Sequence, residues 1–262
     1  MGIYNCAATL QEALDSLYAQ TFKDFELVLC DDGSTDNTYD IAKQNADDHP
    51  NIKLIKNEKN CGLNITLNNC LKLVEGEYIA RMDGDDISLA TRFEKEAKFL
   101  DEHPEFAIVS CPMIYFDEKG EFGRGKGGFA PTTNSFIFGT PHCHAPCMVR
   151  REAYIDVGGY TVDKKLLRNE DYNLWMKMYA LGYRGYNLDE CLYAMRDDRK
   201  ATRRRNWIGR RNDMYAHWLA CRQLHLPFLG YLYCLKPLIL YLMPDSIYEY
   251  LHKRKLNNAQ NT

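Results

Sequence analysis

Short apolar runs alternate with stretches of helical periodicity through the first 113 residues of this 262-residue chain. Leu10, Ala13, Leu14 and Leu17 recur at the spacing of one helix face. Residues 25–30 (FELVLC) read as a strand that runs into the turn-rich loop DDGSTDNT. A second helix is expected over 39–45, a strand over 52–55, and a third helix carrying Leu63, Leu67, Leu71 and Val74, with Gly76 beyond its end. Residues 78–82 give the next strand, 89–100 a charged amphipathic helix, and 107–113 a further strand. Crossovers of this kind join parallel strands. The expected fold is therefore α/β: a Rossmann-like, mostly parallel central sheet with helices on both faces. Ligands of such sheets bind at the carboxyl ends of the strands. Two acidic clusters, Asp31-Asp32 and Asp83-Gly84-Asp85-Asp86, fall at expected strand ends and would share one crevice.

The second half is less regular. The glycine-rich stretch KGEFGRGKGGFAP reads as a loop. A short strand over 147–150, a helix start over 151–157 and Gly158-Gly159 come next. NEDYNLWMKMYALG is a helix with Leu174, Met178 and Leu181 on one side, and two short strands follow it. Three parts result: a binding half over 1–113, an acceptor-side half of the same domain over 114–196, and a basic and apolar helical tail over 197–262.

A net charge of −3 excludes a generic polyanion binder. Between Arg196 and Arg211, however, eight Arg and Lys stand against two Asp. No nucleic-acid fold signature accompanies that run, so nucleic acid is not an expected partner. Arg203, Arg204 and Arg205 would meet a lipid-linked diphosphate or an anionic bilayer, or form a solvated helix face. The ten cysteines include no C-x-x-C pair and read as reduced thiols of a cytoplasmic protein. Cys143 and Cys147 flank His144, but their spacing fits no common zinc pattern, and packing is the favoured role. No signal peptide is visible at the start. Residues 226–244 are strongly apolar but broken by Gly230, Lys236 and Pro237, and Lys253-Arg254-Lys255 follows. That pattern suits an element lying on a membrane surface better than one crossing it; the alternative is a buried helical pair.

Carboxylates clustered at a strand end repel one another unless a cation sits there. A D-x-D turn presents two carboxylates and leaves the remaining coordination positions of a hard divalent cation open for water and phosphate. Alone, the turn would be a helix cap. Asp31-Asp32 adds acceptors for a base or ribose, and Glu170-Asp171 adds carboxylates at a helix start. The helix dipole favours them there; facing the crevice, one could act as a general base.

Four segments carry a resemblance: GIYNCAATLQEALDSLYAQTFKDFELVLCDDGSTDNT, NCGLNITLNNCLKLVEGEYIARMDGDDISLATRFEKEAKFLDEHPEF, HAPCMVRREAYIDVGGY and NEDYNLWMKMYALGYR. In order and spacing they resemble the family 2 glycosyltransferases with a GT-A fold, over residues 1–196. The resemblance implies an inverting transferase of hexosyl or N-acetylhexosaminyl type in surface polysaccharide synthesis. Its donor would be a nucleotide-sugar, UDP-linked, and its acceptor a lipid-linked saccharide. It implies nucleotide contacts from Tyr4, Asn5, Asp31, Asp32, Asn68 and Asp83, with Asp83 on the ribose. Asp85 would bind Mg²⁺ or Mn²⁺, and Asp86 would support the turn. Asp171 would be the base, with Glu170 beside it. His144 and Trp175 would contact the acceptor or the donor sugar. The protein would be cytoplasmic and peripheral on the inner face of the cell membrane.

Two features depart from the family pattern. Only Met1-Gly2-Ile3 precedes the YN turn, where members have a central strand of about five to six residues. Its shortness would leave neighbouring strands unpaired; a misplaced start codon is the favoured origin, over a degenerate gene or replacement by another segment. The family's Ala-Arg-Asn run in the third helix reads Thr66-Leu67-Asn68-Asn69-Cys70, so the Arg is missing. Two other functions stand beside the transferase. A nucleotidyltransferase would need a glycine-rich phosphate loop that the first turn lacks. A non-catalytic nucleotide-sugar binder would follow from the short first strand, against intact Asp83, Asp85 and Asp171.

Overall fold

The computed structural model describes residues 1–197 and 207–242. Arg203, Arg204, Arg205 and the 253–255 cluster lie outside them. The expected alternation is present. β1 (Gly2–Ile3) is followed by α1 (Leu10–Tyr18), β2 (Leu27–Asp31), α2 (Thr38–Asp48), β3 (Ile52–Lys56), α3 (Leu63–Leu71) and β4 (Tyr78–Ala80). Then come β5 (Ile87–Ser88), α4 (Arg92–Glu102), β6 (Ile108–Ser110), β7 (Met113–Asp117) and β8 (Gly120–Arg124). The second half adds β9 (Met148–Arg150), α5 (Arg151–Asp156), α6 (Glu170–Ala180), β10 (Gly185–Asn187), β11 (Tyr193–Arg196), α7 (Trp207–Gln223), α8 (Phe228–Tyr233) and α9 (Lys236–Leu242).

The strands form three sheets. β1, β2 and β3 pair in parallel in that order. β10, β6, β9 and β4 form the second sheet, in which β9 is antiparallel to both neighbours. β5, β11, β7 and β8 form the third, parallel only between β11 and β7. The sheet is thus more mixed than alternation alone implies. Residues 107–113 are not one strand but the whole of β6 and the first residue of β7. Pro112 has no N–H for a ladder and marks the break. The glycine-rich stretch is not all loop. Gly120 opens β8 at φ 106°, a left-handed turn position, so β8 folds back on β7 as a hairpin.

Leu10, Ala13, Leu14 and Leu17 are buried, as their spacing requires. They pack with Ile3, Leu29, Phe93 and Leu100 in one core. A second core joins Phe136, Tyr154, Tyr160, Leu174 and Trp175 to Ala216, Ala220 and Cys221 of α7. The basic stretch therefore ends in a helix docked on the second half. α8 and α9 leave Phe228, Leu232, Leu235, Ile239 and Leu242 exposed. Among the described residues, no helix is long and apolar enough to cross a membrane.

Candidate active site

β4 delivers Arg81 and Met82 to the Asp83-Gly84-Asp85-Asp86 turn, and several bonds fix that turn. Arg92, fully buried on α4, donates to the Arg81 carbonyl (2.8 Å) and to Glu96 (3.0 Å). Tyr193 Oη accepts from the Asp83 backbone N–H (3.2 Å) and donates to Asp86 (2.8 Å). The Arg196 N–H donates to the other Asp86 oxygen at 2.8 Å. Asp86 therefore serves the turn, the role expected of it. Burial and the nearby Asp83 push its carboxyl up to about 7. Thr9 Oγ1 donates to the Gly84 carbonyl at 3.0 Å, and a Cβ on Gly84 would stand 2.8 Å from Cys6 Sγ. The turn is pressed against the start of the chain.

Asp83 and Asp85 differ in their engagement. Asp83 is held in a two-pronged pair with the buried Arg81, one bond being 2.7 Å. The Asp85 carboxylate is exposed, and its surroundings together with negative Asp83 raise its pKa. An exposed carboxylate raised by its neighbour suits a divalent cation, as does an all-oxygen donor set with open positions. No cluster of three or more His, Cys, Asp or Glu is spaced to enclose a metal among the described residues. A cation at Asp85 would take its other oxygens from phosphate and water.

Asp31 and Asp32 sit at the end of β2, both buried. Asp31 accepts from the Ser34 N–H (3.2 Å) and lies 3.7 Å from Lys56 Nζ. Asp32 accepts from Asn57 (2.8 Å) and from the backbone N–H groups of Cys61 (2.8 Å) and Gly62 (2.9 Å). It ties the loop before α3 to β2. The first turn is stitched to the same loop: the Asn5 N–H donates to Ser34 (3.0 Å) and Asn5 Oδ1 accepts from the Thr35 N–H (2.9 Å). Asn5 stands at φ 47°, a strained position that Asn tolerates better than most residues. Tyr4 is exposed beside it.

Glu170 and Asp171 open α6. Burial raises the pKa of both, while the Arg81 charge acts on both in the opposite sense. The Tyr172 N–H and the Thr140 side chain lower that of Asp171 in turn. Arg81 lowers the pKa of His144 as well, after burial, and keeps that imidazole neutral. One guanidinium thus links the strand-end acids, the helix-start acids and His144. His144 bonds Tyr160 Oη at 2.8 Å.

Two expected contacts are corrected. Asn68 does not offer its amide to the crevice: Nδ2 donates to the Tyr160 carbonyl and Oδ1 accepts from the Tyr160 N–H, both at 2.8 Å. It clamps the loop after Gly159 to α3. Trp175 is fully buried, with the rings of His142 and His144 edge-on at 5.7 and 5.9 Å. It offers no free face to a sugar and braces His144 instead. Cys147 is buried in the core and Cys143 is half-buried, as packing requires.

Sequence reasoning missed Arg81, Tyr193 and Arg196. The signal for Arg81 was present: an arginine inside an apolar strand end needs a carboxylate partner.

The profile of glycosyl transferase family 2 matches residues 1–158. EpsE of Bacillus subtilis (strain 168) is 42% identical over 261 residues, covering 99% of this chain and 94% of its own. WfaP of Escherichia coli, a UDP-Glc:α-D-GlcNAc-diphosphoundecaprenol β-1,3-glucosyltransferase, is 30% identical over 187 residues, 70% of each chain. Among solved structures, TarS of S. aureus (residues 1–349, with UDP-GlcNAc) aligns at TM-score 0.69 and 22% identity, covering 92% of this chain and 70% of that one. The mannosyltransferase PcManGT of Pyrobaculum calidifontis, with GDP-Man and Mn²⁺, aligns at TM-score 0.63 and 18% identity, covering 97% and 77%. The chain belongs to glycosyl transferase family 2 and has the GT-A fold.

Proposed function

We propose that this glycosyltransferase moves a sugar from a UDP-sugar to a lipid-linked saccharide by a single inverting displacement, during surface polysaccharide synthesis. The observation that carries the reading is the position of Arg81, whose charge reaches Asp83 and Asp85 on the strand end and Asp171 on the helix start. Relatives and fold neighbours agree with it: WfaP uses UDP-Glc on a diphosphoundecaprenol acceptor, and TarS binds UDP-GlcNAc.

In this reading Asp31 and Asp32 face the nucleoside, with Tyr4 and Asn5 beside them, and Asp83 meets the ribose. Arg81 occupies two of the four lone-pair sites of Asp83 and leaves two for hydroxyl donors. Asp85 would hold Mg²⁺ or Mn²⁺, which when bound offsets the negative charge of the diphosphate. Asp171 accepts the proton of the acceptor hydroxyl as its oxygen bonds the anomeric carbon and the bond to the diphosphate oxygen breaks. Burial raises its pKa, which makes its carboxylate a stronger base than a solvated Asp. Glu170 borders the same space, and neutral His144, braced by Trp175, faces the sugar or acceptor. One base and one displacement invert the anomeric centre.

The exposed apolar face of α8 and α9, with Lys236 and Arg222 nearby, would rest on the inner face of the cell membrane, where a lipid-linked acceptor is presented. A non-catalytic nucleotide-sugar binder is the second reading. Incubation with a panel of UDP-sugars, Mn²⁺ and a diphospholipid-linked GlcNAc separates the two. Product of inverted anomeric configuration by NMR supports transfer. UDP-sugar binding with no release of UDP on any acceptor favours the binder.

A further inference from the structure

Lys164, Lys165, Arg168 and Arg211 gather beside the helix start that carries Glu170 and Asp171. A 3-10 turn over Lys164–Leu166 packs on the first turns of α7, where Asn212 Nδ2 donates to the Lys164 carbonyl at 3.2 Å. Lys165 Nζ lies 5.3 Å from the centre of the Tyr215 ring. Arg211 stands four residues before Tyr215, on the same face of α7, and so beside Lys165. Arg168 completes the group between that turn and α6. Its neighbour Asn169 donates to Asp213 (3.1 Å), which also accepts from Arg210 (3.3 Å), so α7 pins the loop that presents Arg168.

All four cations are exposed, and none forms an ion pair among the described residues, whereas Arg210 is paired with Asp213. Like charges held together in this way favour an anion between them. Arg168 holds φ 68°, a left-handed backbone position that is costly for a long side chain and is kept only where the surroundings impose it. Burial raises the pKa of Glu170, and the Arg168 N–H is among the groups that lower it. The backbone of Arg168 thus serves the acid pair while its side chain is left to solvent. Arg168 precedes Asp171 by three residues, so their Cα atoms lie within about 11 Å of each other. One sugar ring with its anomeric phosphate spans such a gap.

We propose that Lys165, Arg168 and Arg211, with Lys164 at the edge, bind the diphosphate of the acceptor, one sugar ring away from the hydroxyl that Asp171 deprotonates. The proposal rests on the transferase reading above and adds to it which part of the acceptor is recognised. A diphosphate diester carries a negative charge on each phosphate. Arg168 and Arg211 suit it through forked N–H groups, and the lysines through point charges. Asp85, to which the donor diphosphate is assigned, lies beyond the end of β4, whereas this cluster is built on α7 and the turn before α6. An acceptor held here is bound by its linkage to the lipid, so sugars without a diphosphate are discriminated against.

The test compares two soluble probes on the full chain without any bilayer: octyl diphosphate-linked GlcNAc and the octyl glycoside of GlcNAc. With UDP and Mn²⁺ present, calorimetry should show the parent binding the diphosphate probe about tenfold or more tightly than the glycoside. Arg168→Gln with Lys165→Gln should lose that preference, while glycoside binding and UDP affinity stay within about twofold. Both side chains are exposed, so the fold is kept. Arg168→Lys alone should keep part of the preference. Equal affinity of parent and double variant for the diphosphate probe overturns the inference, as does a parent that prefers neither probe. So does a double variant that loses UDP affinity and keeps that for the diphosphate probe, since the cluster would then serve the donor. A parent that binds the diphosphate probe through these residues but transfers no sugar to it from any UDP-sugar leaves the inference standing and counts against the transferase reading instead.

Discussion

Both oxygens of Asp83 accept from the terminal nitrogens of Arg81, two residues earlier on the same strand end. Arg81 is buried, whereas Asp83 is a third exposed (33%). Replacing the guanidinium therefore removes a cation whose charge reaches both the strand-end and the helix-start acids. Arg81→Met should lower unfolding stability by about 2–4 kcal/mol, the lower part of the range reflecting the solvent that screens Asp83. UDP affinity should fall with it. Arg81→Lys keeps a charge but not the fork and should recover part of the affinity. Urea unfolding with UDP titration of both variants checks this; unchanged UDP affinity in Arg81→Met would remove Arg81 from the site.

Asp171 carries the proton in the proposed displacement, and no nucleotide contact is assigned to it. Asp171→Asn should lower kcat by about 10²–10⁴ while the UDP dissociation constant stays within about threefold. Turnover is read by UDP release and binding by calorimetry. A variant that loses UDP binding but transfers normally with excess donor would place Asp171 on the nucleotide rather than the acceptor.

Gly84 separates Asp83 from Asp85 and has no room for a side chain. A Cβ there would press on Cys6 and Ile3, and Ile3 is a core residue of β1. Gly84→Ala should shift the turn and carry Asp85 out of line. Mn²⁺-dependent stabilisation by UDP is then expected to fall by several degrees in Tm, with about 1–3 kcal/mol of intrinsic stability lost. Thermal melts with and without Mn²⁺ and UDP resolve the two effects.

Asp31-Asp32 and Asp83 to Asp86 were legible in the sequence because each cluster ends an apolar run, and strand ends are where such folds bind ligands. What holds them was not. Tyr193 lies 107 residues from Asp86, and no periodicity signals that pair. Trp175 follows Asp171 by four residues, so the two share a helix face; that spacing puts Trp175 one turn deeper, in the core rather than the crevice. Asn68 misled because a polar residue on α3 could bond a ligand or a loop. Only the position of Tyr160 decides between them. β8 was hidden by glycine content, which lowers strand propensity without forbidding a hairpin.

His142 gives the fold a dependence on pH. It is buried between Asn187 (2.7 Å) and Tyr179 (2.9 Å), and burial lowers its pKa from 6.5 to about 4. Between those values the unfolded chain binds more protons than the folded one. Stability from this group is therefore full above pH 6.5 and is lost as pH falls toward 4, by about 3 kcal/mol. His144 is shifted in the same direction. His142→Gln should be less stable at pH 7.5, and its stability should fall less steeply from pH 6.5 to 4.5 than that of the parent, a window of about two units. Equal slopes in urea unfolding across that window would mean that His142 is not kept neutral by burial.

Phe228 and Leu242 are the most exposed large apolar residues of α8 and α9, at 75% and 72%. Leu232, Leu235 and Ile239 are exposed between them. Left in water, such a face gains nothing from burial; laid in a bilayer interface it gains roughly 25 cal/mol per Å² covered. The nearby Lys236 and Arg222 favour anionic headgroups, so binding should weaken as salt rises. The full chain is expected to co-sediment with phosphatidylglycerol vesicles more strongly than with phosphatidylcholine vesicles. Phe228→Asp with Ile239→Asp should reduce that binding about tenfold or more, since both side chains point away from the core and their loss leaves the fold intact. Transfer to a short, water-soluble acceptor should be unchanged, whereas transfer to vesicle-borne acceptor should fall with the binding. If the double variant sediments like the parent, this face is not what meets the membrane.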